Sequence, residues 1–312
     1  MPTDTQSRCF VKCKETLTGF LREELARSQA DGFALGLSGG VDSAVVATLC
    51  AEVVSPDHLH ALYLYDPHNH ARSREDAARI AKTLGCVLIE DDITERVRQR
   101  GAYAPGIVRL SRFIPALNRL IVRVSRPTYK VLFRETSFSA TLLRDDRRLS
   151  RGFRGAVHRA LAAAIEQGFN DRHIVRREIL EEYAAKSNLL PVGAANKTES
   201  MVGWFVQSGI DDLPIEPLLD LFKGEVRALA SMLGIPDDIV QQTPTADMFK
   251  GVSDELTIGH SYKVLDKALA AIERGEQEPC PGVTRKQFLA IGRLHALSAW
   301  KREGEHRFPV LS

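Results

Sequence analysis

Three observations place this 312-residue chain in the α/β class, as a doubly wound parallel sheet with helices on both faces and a basic insertion. Short apolar runs alternate with helical stretches over residues 1–95 in the order β-α-β-α-β. A glycine- and serine-rich turn joins the first of those strands to a strongly apolar helix. The alternation breaks into an arginine-rich segment at 96–155 and resumes over 156–312, which divides the chain into two halves and an insertion or lid.

The elements follow from local patterning. Leu17, Phe20, Leu21 and Leu25 recur at helical spacing and predict a helix over 15–30. The run FALGLS at 33–38 fits a buried parallel strand. After the turn, VDSAVVATLCAEVV reads as a helix and LHALYLY at 59–65 as a second strand. Ser73 is placed to cap a helix reaching Leu84, with Glu75 and Asp76 favouring its dipole. CVLIE at 86–90 makes the third strand. Further on, helices are expected over about 155–167 and 172–186, then a strand LLPVGA at 189–194. A helix over 223–233 stops at Gly234 with Pro236 beyond it. Residues 253–272 and 284–302 also read as helical.

Hydrophobic content of 44% and charged content of 26% are those of an ordinary soluble protein. No run approaches the roughly 18 apolar residues a membrane helix requires. The N-terminal stretch lacks a secretory apolar core, so a cytoplasmic location is expected. Cys9, Cys13, Cys50, Cys86 and Cys280 form no CxxC pair and no metal spacing, which fits reduced, structural thiols. The net charge of +2 conceals an asymmetry. Residues 96–159 hold 16 Lys/Arg and 3 Asp/Glu, and the rest of the chain holds 26 and 37. A segment of about +13 on a body of about −11 needs an anionic partner: phosphates, the acidic body or another chain.

The chemistry concentrates in Leu37-Ser38-Gly39-Gly40-Val41-Asp42-Ser43. Glycines let backbone N–H groups approach an anion, the following helix N-terminus adds its dipole, and the hydroxyls of Ser38 and Ser43 add donors. Such a loop can cradle pyrophosphate. Asp42 would repel phosphate, so its natural task is to hold Mg²⁺ against it. The GxxxxGK[ST] spacing of γ-phosphate-transferring enzymes is absent. A second carboxylate, Glu199, read as lying in a loop after a strand, could complete the Mg²⁺ site. Lys197 and Lys223 could neutralise a leaving pyrophosphate, the catalytic role proposed for both. Thr245 could hydrogen-bond a phosphate or serve only as a helix cap.

The SGGVDS string resembles the PP-loop of N-type ATP pyrophosphatases, which transfer AMP to a substrate oxygen and release pyrophosphate. Later segments narrow the resemblance to the ammonia-dependent NAD synthetase family. Gly193-Ala194-Ala195-Asn196-Lys197-Thr198-Glu199, followed by Gly203-Trp204-Phe205, is similar to the family's G-T-x-N-K-[ST]-E…G-[FY]-F. Pro217-Leu218, Leu221-Phe222-Lys223 and Leu233-Gly234-Ile235-Pro236 match its next segment in order. Pro244-Thr245-Ala246-Asp247-Met248, Ser253-Asp254-Glu255 and Leu265-Asp266 match a third, and Lys301-Arg302 stands where the family has a basic pair.

The resemblance covers about residues 10–95 and 170–305. It implies an adenine nucleotide alpha hydrolase-like fold and an ATP- and Mg²⁺-dependent amide-forming ligase that turns deamido-NAD and ammonia into NAD, AMP and pyrophosphate. It implies ATP contacts from residues 37–43, Ala194, Lys223 and Thr245, substrate contacts from Arg176, Lys301 and Arg302, and a Mg²⁺ site at Asp42 and Glu199. It also implies a homodimer, with nitrogen from free ammonia or a separate ammonia-supplying partner.

The substrate half departs from the pattern. The threonine after Gly193 is Ala194, the aromatic-Gly-Asp turn is Ser208-Gly209-Ile210-Asp211-Asp212, and the first arginine of N-x-x-x-R-x-R is Ile174. Two rival readings follow. One is the same chemistry on another carboxylic acid. The other is a tRNA-modifying or nucleic-acid-binding protein using the basic segment, with Tyr103, Phe113, Tyr129, Phe133, Phe138 and Phe153 interleaved. The lack of a cysteine pair suited to tRNA thiolation counts against the second.

Overall fold

A computed structural model describes residues 4–67, 69, 71–102, 123, 127–143, 152–153, 164–245, 252–304 and 306–311. Helix α1 (Asp4–Ser28) leads into β1 (Gly32–Gly36), α2 (Val41–Ala51) and β2 (Leu59–Tyr65). Then come α3 (Ala71–Leu84), β3 (Val87–Asp92) and the short α4 (Thr94–Gln99). After the insertion, α6 (Ala164–Lys186) precedes β4 (Leu189–Val192). The remainder is helical: α7 (Lys197–Val202), α8 (Lys223–Met232), α9 (Asp237–Val240), α10 (Asp254–Ile258), α11 (Tyr262–Glu273) and α12 (Arg285–Leu297). Within the insertion, α5 (Ser137–Thr141) is closed by a capping box between Thr136 and Ser139.

The four strands are all parallel, in the order β3-β2-β1-β4. The chain winds outward from β1 through β2 to β3, then crosses back to place β4 on the other side of β1. Strand alternation sorts the core. Phe33, Leu35, Leu59, Ala61 and Tyr63 face α1, α2 and α8, where Leu17, Val45, Leu49, Val226 and Leu229 pack against them. Ala34, Leu62 and Leu64 face the opposite layer, formed by α4 and α6 through Val97, Val175, Ile179 and Leu180. The two-sided burial explains why these strands read as continuous apolar runs.

A third core joins α7, α11 and α12 around Val202, Tyr262, Leu265, Leu269 and Ile291. One stretch of the insertion joins it. Phe138 and Leu142 pack there, Tyr129 and Phe133 are buried beside them, and the Trp300 indole donates to the carbonyl of Leu142 at 3.0 Å. Glu135 is buried and accepts from Arg293 on α12. Among the described residues, no helix is long and apolar enough to cross a membrane.

The expected element types hold, and boundaries shift. The first helix begins at Asp4, α3 begins at Ala71 rather than Ser73, and the helix expected over 253–272 divides at Gly259, whose φ of 97° closes α10. The helix expected over 155–167 falls mostly outside the described residues, as do Tyr103, Phe113 and Ala246-Asp247-Met248.

Between α6 and the end of β2, Arg172 Nε donates to Asp66 Oδ2 at 2.7 Å, with both side chains fully buried. Removing one partner strands the other charge. Asp66→Ala should therefore cost about 3–5 kcal/mol, and Arg172→Met added to it should recover part of that loss. Urea unfolding midpoints of the single and double variants measure both.

Candidate active site at the switch of the sheet

The site lies where the winding reverses, off the C-terminal ends of β1 and β4. A cavity of about 230 Å³ opens there, lined by Leu37, Ser38, Gly40, Val41, Asp42 and Ser43 from the β1–α2 turn and by Gly193, Ala194 and Ala195 after β4. Glu199, Lys223, Arg176, Thr245 and Asp254 complete much of its wall.

The turn is preorganised by its own hydroxyls. Ser43 Oγ donates to the carbonyl of Gly40 at 3.1 Å and accepts from the Ser38 amide at 3.2 Å, and the amide of Gly40 donates to Ser38 Oγ at 3.3 Å. Gly39 does not line the cavity. It has φ of +82°, and a Cβ there would come within 2.3 Å of the Ser73 carbonyl. Gly40 is the N-cap of α2 and supplies no side-chain acceptor, so the first-turn amides stay open to an anion.

Behind the turn sits a charged cluster. Lys223, buried at the start of α8, donates to Asp42 Oδ2 and, at 3.0 Å, to Glu199 Oε1. Tyr262 Oη stands 3.0 Å from Glu199 Oε1 and 3.1 Å from Asp254 Oδ2, close enough to donate to either. Burial raises the Glu199 carboxyl to about 7, against the pull of Lys223. Burial alone would lower the Lys223 ammonium, but Asp42 and Glu199 outweigh it and push it up.

Local sequence explains the convergence. Asn196 caps α7, accepting from the Glu199 amide at 3.1 Å while its Nδ2 donates to Asp42 Oδ1 at 3.0 Å. Glu199 is thus in the first turn of a helix, not in the loop read from sequence. Thr198 Oγ1 accepts from the Lys223 amide at 2.9 Å and donates to Asp266 at 2.6 Å, which registers α8 against α7 and α11.

Hard oxygen donors at Asp42 and Glu199 suit Mg²⁺. Among the described residues, no group of three or more His, Cys, Asp or Glu side chains could hold a metal ion. Mg²⁺ commonly takes one or two carboxylates and fills its shell with water and phosphate, which fits this pair.

The other expected site residues divide. Arg176 lines the cavity, buried, with its guanidinium held by the Leu64 carbonyl at 3.0 Å and Asn69 Oδ1 at 3.3 Å. Ala194 and Thr245 also line it, and Thr245 Oγ1 donates to the Val252 carbonyl. Lys197 does not reach the cavity. Its ammonium pairs with Asp220 at 2.9 Å and Glu273 at 2.7 Å and sits over the Phe222 ring. Lys301 and Arg302 also lie away from it. Lys301 donates to the carbonyls of Gly203 and Phe205, and Arg302 to those of Ser200 and Met201. Both satisfy carbonyls at and beyond the end of α7, an orphan set every helix leaves. Neither side chain lines the cavity.

Several site residues escaped sequence reasoning. Asn196 and Asp254 stood inside recognised motifs without a role. Tyr262, Asn69, Phe169 and His173 had no local signal. Glu216 is fully buried, accepting from the amides of Ala195 at 2.8 Å and Leu213 at 3.0 Å, and so fixes the loop after β4. A Cβ at Gly193 would come within 2.0 Å of the Glu216 carboxylate, so only glycine fits there.

A parallel sheet with a hydroxyl-braced glycine turn at its switch point, backed by two carboxylates and a lysine, defines a nucleotide-binding α/β protein of the PP-loop class. The chain belongs to the NAD synthase family, whose model matches residues 13–105 and 153–305 and passes over most of the insertion. It is 31% identical to the NH(3)-dependent NAD(+) synthetase of Thermotoga neapolitana, over 87% of this chain and 88% of that one. It is 27% identical to that of Methanosarcina acetivorans, over 96% and 95%. Among solved structures, an NMN synthetase from Francisella tularensis aligns with a TM-score of 0.67 at 23% identity, over 95% of this chain and 96% of that one. An NH3-dependent NAD synthetase from Campylobacter jejuni aligns with a TM-score of 0.64 at 20% identity, over 95% and 96%. These last two likenesses establish the fold.

Burial holds the Glu216 carboxyl well above the usual carboxylate range. A raised folded-state value means its contribution to stability is full below the unfolded value and fades as pH rises through the folded one. Glu216→Gln, which leaves one amide unpaired, should cost about 1–3 kcal/mol. Denaturant titrations across pH should show its deficit relative to the native chain largest in acid and shrinking upward.

Proposed function

We propose that this chain makes NAD: it adenylates the nicotinate carboxylate of deamido-NAD with ATP and passes the acyl group to ammonia. The observation that carries the reading is one cavity in which the anion-ready turn at 38–43, the Asp42–Lys223–Glu199 cluster and Arg176 face the same space. The names of its relatives supply the substrate and the nitrogen source.

In this reading the open amides of α2, Ser43's among them, and the hydroxyl of Ser38 hold the ATP phosphates, with the Ser43 hydroxyl bracing the turn and Leu37, Gly39, Gly40 and Val41 shaping it. Asp42 and Glu199 would hold Mg²⁺, which when bound neutralises charge on pyrophosphate as it leaves. Lys223, freed from part of its carboxylate pairing, follows the same charge with its ammonium. Ala194 and Thr245 border the nucleotide, and Arg176 offers its guanidinium to the acid substrate. No side chain forms a covalent bond with substrate. Rate comes from positioning two reactants and from fixed charges aimed at the departing pyrophosphate.

Residues 1–95 and 156–312 form the two halves of one synthetase unit, and 96–155 is its insertion. A charge of about +13 over residues 96–159, with the apolar runs IPALNRLIVRV and YKVLF, supports a homodimer in which the insertion meets a second copy. Sedimentation of the full chain against a 101–150 deletion tests that assembly. Free ammonia or a separate protein supplies the nitrogen, and an ATP-consuming synthesis of this kind fits the cytoplasm.

Incubated with ATP, Mg²⁺, deamido-NAD and ammonium, the protein should release NAD, AMP and pyrophosphate in equal amounts. Stoichiometric ADP would overturn the reading. Asp42→Asn and Glu199→Gln should each slow the reaction roughly 100-fold or more, since a metal ion's charge is worth several kcal/mol in such a step. A near-native rate from either variant removes that residue from the site.

A further inference from the structure

The cavity has a second corner, built from α6 and the turn at 208–212. Phe169, His173, Trp204 and Asp211 all line it. The Phe169 ring lies 4.7 Å from that of His173 and 5.6 Å from that of Trp204, which forms an aromatic wall. His173 is buried, at 8% exposure. Its Nδ1 stands 3.1 Å from Asp211 Oδ1, an ion-pair distance without the alignment of a hydrogen bond, and its Nε2 has no hydrogen-bond partner among the described residues.

The arrangement is built rather than incidental. The Ile210 amide donates to the His173 carbonyl at 3.1 Å, and the Val206 amide donates to Asp211 at 3.2 Å. Gly209 closes the turn onto both. A Cβ there would fall within 2.8 Å of His173 Cβ and of Asp211 Oδ1. An unpaired buried nitrogen ordinarily costs stability, so one retained on a cavity wall calls for a ligand. The same turn and the same stretch of α6 are where the sequence departs from the family pattern, at Ser208–Asp212 and at Ile174.

We propose that His173, backed by Asp211, is the proton acceptor that turns ammonium into the attacking ammonia. The inference rests on the amidation reading above. At neutral pH the nitrogen source is mostly ammonium, which has no lone pair to attack with. One N–H proton passes to His173 Nε2, and the Asp211 carboxylate stabilises the imidazolium. The freed lone pair forms a C–N bond to the acyl carbon of the adenylate. The bond from that carbon to the phosphate oxygen breaks, and its electron pair leaves with AMP. The surplus proton on the new nitrogen goes to water, as later does the proton on His173. Acyl-adenylate and ammonium thus give carboxamide, AMP and two protons.

The test separates the two half reactions in His173→Gln. Adenylation is read as deamido-NAD-dependent exchange of pyrophosphate into ATP. Amidation is read with ammonium, and separately with hydroxylamine, a weaker base largely unprotonated at neutral pH. The variant should keep exchange within about twofold of the native rate and keep hydroxamate formation. Its ammonium-dependent rate should fall about 100-fold, the scale of general base catalysis. Asp211→Asn should lose less, and on the ammonium arm alone. Equal losses with ammonium and hydroxylamine, a loss of exchange, or an unchanged ammonium rate would each overturn the assignment. A native enzyme with no deamido-NAD-dependent exchange would sink the amidation reading itself, and this inference with it.

Discussion

The buried ammonium of Lys223 is the interaction on which the site depends. It meets Asp42 from the first turn of α2 and Glu199 from α7, residues more than 150 positions apart in the chain. Bringing such charges out of water is expensive unless every one is matched. Here the matching recruits neighbours. Asn196 holds Asp42 and caps α7, Thr198 and Asp266 fix the first amides of α8, and Tyr262 covers Glu199. The result is a site framework held by hydrogen bonds between its own side chains and backbone.

The sheet decides where that site can be. Winding out to β3 and back to β4 leaves a cleft between the turns that follow β1 and β4. Both turns are committed to close approach. Gly39 lets the first pass under the Ser73 carbonyl, and Gly193 lets the second accept the Glu216 carboxylate. The third core then stands over the open side and carries Asp254 and Tyr262 to the cluster. Residues 135–142 of the basic insertion are anchored to that core through Phe138, Leu142 and Glu135. Its chemistry is therefore not that of a free basic loop alone.

Most basic side chains near the site serve the scaffold. Lys197 is held between two carboxylates, while Lys301 and Arg302 answer carbonyls about the end of α7. Short helices leave a large fraction of their amides and carbonyls unmet, and long cationic side chains are efficient donors to several of them. Arg176 differs in that its stem is buried beside β2 while its guanidinium borders the cavity. The cavity consequently has two chemical ends: a lysine-centred one at the glycine turn after β1, and an aromatic one at Phe169, His173 and Trp204.

Much was legible in the sequence, because local physics wrote it there. Apolar runs with period two or none, glycine turns and helix caps set β1 to β3, the α2 turn and the element types of the second half. The string 37–43 and Glu199 carried their chemistry in residue type and spacing. What the sequence could not express is direction. Nothing local distinguishes Lys223, which turns inward to two carboxylates, from Lys197, whose ammonium turns to Asp220 and Glu273. Nothing near His173 announces Asp211, 38 residues later, or the glycine that lets them meet. Those facts depend on which faces of α6, α7 and α8 are pressed together. Only the packing of three cores, with its demand that each buried charge find a partner, selects those faces.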